Sequence, residues 1–306
     1  MKFGKLPNVD LVDFSLPADP AGTQVTLRRY AREQGNLQCY IGATGWSMKE
    51  WVGTVYPAGA KSKDYLRYYT QQFNTIELNT THYRIPTVDT VQRWYAESVA
   101  DFQFCPKIPQ TISHSRNLGI GEPQLAQFCE SIRHLKEKLG CCFLQLPPYF
   151  GSDRLSLLET FLAQFPTDVP LAVELRHESW FARTETVERL FEVLEKHSIA
   201  AVITDVAGRR DVLHMRLTSN VGMVRFVGNG LHPTDYQRIA DWVRRIQGWA
   251  AAGLSRLYFF THEPDNILTP TLAAHLATAL QELPQIDTRG PKITSNQNQH
   301  NQFTLF

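Results

Sequence analysis

No run in this chain approaches the roughly 20 consecutive apolar residues that a membrane-spanning helix needs, although 43% of its 306 residues are hydrophobic. No membrane partner is expected. A dominant charge is also missing. With 31 basic and 30 acidic residues the formal net charge is +1, so there is no global electrostatic footprint for nucleic acid or an acidic lipid surface. Any anion site must be local. Cysteine is sparse: Cys39, Cys105, Cys129, Cys141 and Cys142 form no Cys-x-x-Cys spacing and are odd in number. That pattern argues for reduced, buried thiols and against a disulfide framework or a thiolate metal site. The start, Met1-Lys2-Phe3-Gly4-Lys5-Leu6-Pro7, lacks the apolar centre of a signal peptide, and the expected location is the cytoplasm. Neither His-x-His nor His-Glu-x-x-His occurs. The glycines of Gly42-Ala43-Thr44-Gly45 lead into Trp46, Trp51 and Tyr56-Pro57 rather than into a helix, which speaks against a dinucleotide fingerprint.

What the chain does have is a set of short strands whose polar residues are ionic. In Leu171-Ala172-Val173-Glu174-Leu175-Arg176-His177 the side-chain period of 2 sends Leu171, Val173 and Leu175 to one face and Ala172, Glu174 and Arg176 to the other. A strand that turns Glu174 and Arg176 inward needs a polar pocket or a tight pair. The pattern recurs in Thr75-Ile76-Glu77-Leu78-Asn79, in Phe102-Gln103-Phe104-Cys105-Pro106-Lys107, in Ala201-Val202-Ile203-Thr204-Asp205 and in Val224-Arg225-Phe226. In each the charge lies at or near the C-terminal end, where a parallel α/β barrel builds its active site.

Eight strands are expected, ending near Gly42, Leu78, Lys107, Gln145, Glu174, Asp205, Phe226 and Phe260. Helical spacing fills most of the gaps, as in Leu125, Phe128, Ile132, Leu135, Leu139 and in Tyr236, Ile239, Val243, Ile246, Ala250. The predicted fold is an α/β, TIM-type (β/α)8 barrel, with a doubly wound open sheet as the competing arrangement. Between the sixth and seventh strands only residues 210–217 offer a short helix, so a distorted or seven-stranded barrel is the alternative there. The predicted organisation is an N-terminal extension (1–37) lying across the domain, a barrel domain (38–284) and a mobile polar tail (285–306).

Five blocks carry a family resemblance. They are Gly42-Ala43-Thr44-Gly45-Trp46-Ser47 with Trp51 and Tyr56-Pro57; Ile76-Glu77-Leu78-Asn79 with Tyr83-Arg84 and Pro86; residues 104–107 with Ser113-His114; Gln145-Leu146-Pro147-Pro148; and Glu174-Leu175-Arg176-His177 with Ser179-Trp180-Phe181. Over about 38–283 the chain resembles the YecE-like family, domain of unknown function 72. The resemblance implies a (β/α)8 barrel, somewhat similar to those of endonuclease IV and xylose isomerase, and implies no particular reaction. Some members carry a Tyr-Val-Arg-Leu-His-Gly-like seventh strand. Here the strand reads Met223-Val224-Arg225-Phe226-Val227-Gly228-Asn229, and the loss of the histidine weighs against a mechanism that requires a base at position 227.

The chemistry is expected at the strand mouths. Glu77, Glu174 and Asp205, with His114, are the candidate catalytic residues, because carboxylates sharing one cleft can divide into acid and base. The bland alternative is that each is neutralised by Lys107, Arg176 or Arg225. Arg84, Lys107, Arg116, Arg176, Arg209, Arg210 and Arg225 follow strand ends, and guanidinium forks suit phosphate or carboxylate. The candidate substrate-binding set is Trp46, Asn79, Tyr83, Arg84, Lys107, Gln145, Arg176, His177, Arg225, Asn229 and His262. Trp46, Trp51, Tyr83 and Trp180 stack a ligand or plug the barrel top. No cofactor is expected; a divalent metal held by His114, His177 and His262 with the three carboxylates is the alternative. The leading expectation is an enzyme, a phosphoester hydrolase or an isomerase of a sugar-like compound, acting on an anionic small molecule. The rival is a non-catalytic nucleic-acid or nucleotide binder, or a metal-assisted phosphodiesterase. Oligomeric state is not readable.

Overall fold

Eight of the strands are short, parallel and buried on both faces, so they read as near-continuous apolar segments: β1 (Leu37–Ala43), β2 (Thr75–Leu78), β3 (Gln103–Pro106), β4 (Cys142–Gln145), β5 (Leu171–Glu174), β6 (Ala200–Asp205), β7 (Val221–Val227) and β8 (Arg256–His262). The computed structural model describes residues 4–31 and 35–293. The strands run in the spatial order β3-β2-β1-β8-β7-β6-β5-β4. The remaining seam, between β3 and β4, is drawn together by bridges at Phe104–Leu139 and Lys107–Phe143 and by the Ile108 N–H donating to the Phe143 carbonyl at 3.0 Å. The result is a nearly closed barrel of eight parallel strands surrounded by helices, a (β/α)8 fold. All eight strands lie where alternation places them.

The helices are α1 (Ala21–Tyr30), α2 (Tyr65–Gln72), α3 (Thr80–Tyr83), α4 (Val88–Glu97), α5 (Gln110–Ser113), α6 (Gln124–Arg133), α7 (Leu155–Gln164), α8 (Thr184–Lys196), α9 (Pro233–Ala251) and α10 (Thr269–Gln281). Two apolar clusters divide the interior. The larger lies between strands and helices and includes Ile41, Ile76, Phe104, Val173, Ile203, Phe226 and Phe259. The smaller, with Cys105, Phe143, Ala172, Val202, Met223, Tyr258 and Phe260, fills the lumen. Period 2 separates the two sets.

The weak point between β6 and β7 is resolved by the N-terminal extension. Only a single 3-10 turn, Arg210–Val212, forms in that crossover. Helix α1 docks alongside instead. The Thr23 hydroxyl donates to the Met215 carbonyl at 2.8 Å and accepts from the Leu217 N–H at 3.0 Å, while Asp19 just before α1 pairs with Arg245 and accepts from Trp249 Nε1 on α9. A helix from outside the repeat thus covers a face the sixth unit leaves bare. Thr23→Val keeps the shape and leaves a buried N–H and C=O unpaired, which costs about 1 to 3 kcal/mol; urea unfolding reads the loss, and a loss near zero contradicts this role for α1.

The extension is therefore partly helical rather than irregular. The C-terminal boundary also moves. Residues placed in the polar tail form β9 (Ile286–Arg289), which pairs in parallel with the first half of β1. Gln38 Nε2 donates to Asp287 at 2.7 Å, and Arg289 reaches the Thr70 and Phe73 carbonyls. β1 offers its second half to β2 at Gly42 and Ala43 and so leaves the first half for β9. The remainder of the predicted tail, 294–306, lies outside the described residues.

Candidate active site

At the C-terminal rim the lumen changes from apolar to ionic. Arg225, on β7, is buried and bridges the barrel: Nε and Nη2 donate to the Glu77 carboxylate on β2 at 2.8 and 2.9 Å, and Nη1 donates to Glu174 Oε2 on β5 at 2.7 Å. Arg176 Nε donates to Glu174 Oε1 at 2.8 Å. Gln145 on β4 donates through Nε2 to Glu174 Oε2 at 2.8 Å and accepts through Oε1 from Lys107 Nζ at 2.7 Å. That amide orientation follows from its neighbours, since the reverse would face NH2 against an ammonium. Asn79 and His262 complete the coordination of Glu77 at 2.9 Å each. One network thus spans six strands or their ends.

Its electrostatics argue against carboxylate catalysis at Glu77 and Glu174. Burial would raise the pKa of Glu174, but Arg176 and Arg225 outweigh it and hold the group at about 2. Glu77 is likewise pulled well below the ordinary range, burial being overcome by Arg225 and His262. Each Glu77 oxygen accepts two hydrogen bonds, and Glu174 accepts three in all. Both carboxylates are thus paired with cations in the way the neutralising alternative expects. They turn three cations, Lys107, Arg176 and Arg225, toward one place against two carboxylates.

Above the network opens a cavity of about 540 Å³ lined by Lys5, Thr44, Asn79, His82, Tyr83, Lys107, Gln110, Gln145, Arg176, Val227, His262, Glu263, Pro264 and Asn266. Burial, with Arg225 adding repulsion, lowers the Lys107 ammonium to about 8. Burial lowers His82 to about 4; its Nδ1 donates to the Ile108 carbonyl at 3.0 Å, so the neutral ring keeps Nε2 as an acceptor. Glu263 is pushed up to about 7 by burial and by Asp235. Lys5 arrives from the N-terminal extension, which is anchored where the Gly208 N–H donates to the Gly4 carbonyl at 2.8 Å.

Several predicted residues are not brought to this cavity. Asp205 is one position out of phase: Thr204 is the register partner of Arg225, so Asp205 faces the helices, where it pairs with Arg210 and with Arg238 at 2.8 Å and accepts from Trp242 Nε1 at 2.8 Å. It clasps α9 to β6. Trp46 lies edge-on to Trp94 in a separate groove. Arg84, exposed after a four-residue helix, lines another groove with Thr87 and Trp94. His177 is absorbed as the cap of the turn at Glu178–Trp180, and Asn229 is bound through Nδ2 to Asp235 at 2.9 Å. His114 stands behind His82, ring centres 5.3 Å apart, and bonds Ser113. Trp51 and Trp180 are buried in the outer apolar cluster between strands and helices, whereas Tyr83 is 73% exposed at the rim. The metal alternative is not assembled: His114, His177 and His262 go to separate partners, and among the described residues no group of three or more His, Cys, Asp or Glu is arranged to hold an ion.

The comparisons with known proteins agree with the barrel. Residues 40–296 match the family described as "Protein of unknown function DUF72". The chain belongs to this family. Among relatives of this DUF72 protein, UPF0759 protein YecE of Escherichia coli K12 is 31% identical over 266 residues, covering 81% of this chain and 94% of YecE. UPF0759 protein YunF of Bacillus subtilis 168 is 29% identical over 151 residues, covering 47% of this chain and 52% of YunF. A crystal structure of a DUF72 family protein from Enterococcus faecalis V583 superposes with a TM-score of 0.65 at 20% identity, covering 81% of this chain and 99% of that one. At that identity the likeness speaks for the fold.

Glu263 and His82 are the titratable cavity residues near β8 and β2 of this DUF72 protein that alternation overlooked. Glu263 follows β8, directly after His262, so the strand-end rule that selected His262 pointed to it. His82 follows β2 in the same way, three residues after Asn79. Among the described residues no helix is long and apolar enough to cross a membrane.

Proposed function

We propose that this protein is an enzyme that binds a small phosphorylated or carboxylated compound in the mouth of its barrel. The observation that carries this reading is the set of cations at the cavity: Lys5, Lys107 and Arg176 line it with a single carboxyl, Glu263, while Glu77 and Glu174 lie buried beneath and are paired within the network. An anionic ligand would complete the charge balance of the site, and hydrogen bonds to a charged group contribute roughly 1.5 to 3 kcal/mol each. A cavity of about 540 Å³ has the size of a small-molecule site, which favours a metabolite over a strand of nucleic acid. Lys107 and Glu263 exchange protons near neutral pH, the property wanted of a general acid and base. Proton transfer during isomerisation or hydrolysis is the chemistry this pair serves. A reducing compartment, the cytoplasm, suits the five free buried cysteines.

The test is binding of sulfate, which does not titrate in the relevant range, followed by calorimetry as pH rises. Lys107, lowered to about 8, loses its positive charge as pH climbs through that value. Glu263, raised to about 7 while facing Asp235 and Arg238, gains negative charge over an overlapping interval. Both changes oppose an anion, so sulfate affinity falls steadily between about pH 6 and about pH 9. Affinity that stays level or rises over that interval overturns the assignment.

A further inference from the structure

Six buried side-chain polar atoms among the described residues have no hydrogen-bond partner, on Thr26, Gln124, His197, Thr204, Arg238 and Glu263. Of these residues only Glu263 lines the cavity above the ionic network. The residue is held by three contacts, one at the carboxyl and two at the main chain. Oε2 accepts the Gly230 N–H at 2.8 Å. The Glu263 main-chain N–H donates to Thr269 Oγ1 at 3.2 Å, and its carbonyl accepts from the Asn266 N–H at 3.1 Å. Oε1 is left over. Room for it comes from Gly228, where a Cβ would stand 2.2 Å from that oxygen. A buried polar atom without a partner is costly, and here it belongs to a carboxyl placed by backbone contacts at the wall of a cavity.

Resting on the anion-site reading above, we propose that the Glu263 carboxyl turns its buried, unpartnered Oε1 into the cavity to receive a hydroxyl group of the ligand, so that the substrate is a hydroxylated anion of the sugar-phosphate or hydroxy-acid type. Lys107 and Arg176 take the charged end, and Glu263, on the β8 side of the mouth, takes the hydroxyl. A carboxyl in this position accepts from a hydroxyl when ionised and either accepts or donates when protonated, so the contact persists across neutral pH.

The experiment compares three probes by calorimetry: inorganic phosphate, n-propyl phosphate, and sn-glycerol 3-phosphate, which matches propyl phosphate in length and adds two hydroxyls. With the wild-type protein the glycerol compound is expected to bind about ten-fold more tightly than the propyl compound. In Glu263→Ala the preference collapses, while phosphate affinity holds or rises because a negative group has gone. Equal wild-type affinities for the two esters, or a preference that survives Glu263→Ala, overturn the hydroxyl contact and leave the anion site standing. Failure of all three probes to bind instead removes the anion site itself. Should Glu263→Ala not fold, the wild-type complex with sn-glycerol 3-phosphate decides by crystallography. A ligand hydroxyl within hydrogen-bonding distance of Oε1 supports the proposal; hydroxyls turned to solvent reject it.

Discussion

Arg225→Met is expected to lower the stability of the fold by about 3 to 5 kcal/mol, the cost of leaving a buried charge without its partner. Two carboxylates depend on this guanidinium. It supplies both donors of a bidentate pair to Glu77 and a third to Glu174, and neither carboxylate can reach water, since both are fully buried. The pH dependence separates wild type from variant. In the wild type Glu174 lies at about 2 against an ordinary 4.5, and Glu77 is lowered as well. A depressed folded-state pKa contributes stability that is present above about pH 4.5 and lost as pH falls toward about 2. In the variant Glu77 loses its foremost cation and Glu174 one of two, so both pKa values rise and the deficit relative to wild type shrinks on acidification. Urea unfolding followed by circular dichroism at neutral and mildly acidic pH measures both effects. A folded variant that loses less than about 1 kcal/mol would show that the bridge is not a keystone.

Lys107→Met is expected to weaken phosphate or sulfate binding by about ten-fold or more, from the loss of one charge-assisted hydrogen bond. The same change is expected to hold or raise stability. The Lys107 ammonium is buried and donates to Gln145 Oε1 at 2.7 Å, and burial depresses its pKa, which means that the folded state pays for keeping it charged. Methionine fills the stem's volume without that penalty. The opposed signs make the residue's purpose visible: a group that costs stability and supports binding is retained for its ligand. Calorimetry with sulfate and a thermal melt of the free protein suffice. Unaltered affinity would place the anion elsewhere.

The network of Glu77, Lys107, Gln145, Glu174, Arg176, Arg225 and His262 was legible in the chain because strand alternation and the strand-end rule operate locally. Each residue needed only its own strand to be recognised. Asp205 shows the limit of the rule. It ends a strand as Glu174 does, yet the phase of β6 turns Thr204 inward, and the adjacent acid meets Arg238 and Trp242 on a helix that begins nearly thirty residues later. His177, Asn229 and Trp46 lie outside the cavity for a related reason, since each is engaged by a neighbour in its own loop or by an adjoining helix.

Composition, alternation and five motif blocks were enough by themselves to determine a (β/α)8 barrel with charge gathered at one rim, because periodicities of 2 and 3.6 are properties of a few consecutive residues. Which charges pair, which line the cavity, how α1 and β9 complete a barrel they do not belong to by repeat, and that Glu263 keeps one oxygen unpartnered were settled only in three dimensions. Those outcomes depend on distances between residues such as Glu77 and Arg225, 148 positions apart, and the strength of a charge or hydrogen bond is set by the partner and the burial that folding brings to it.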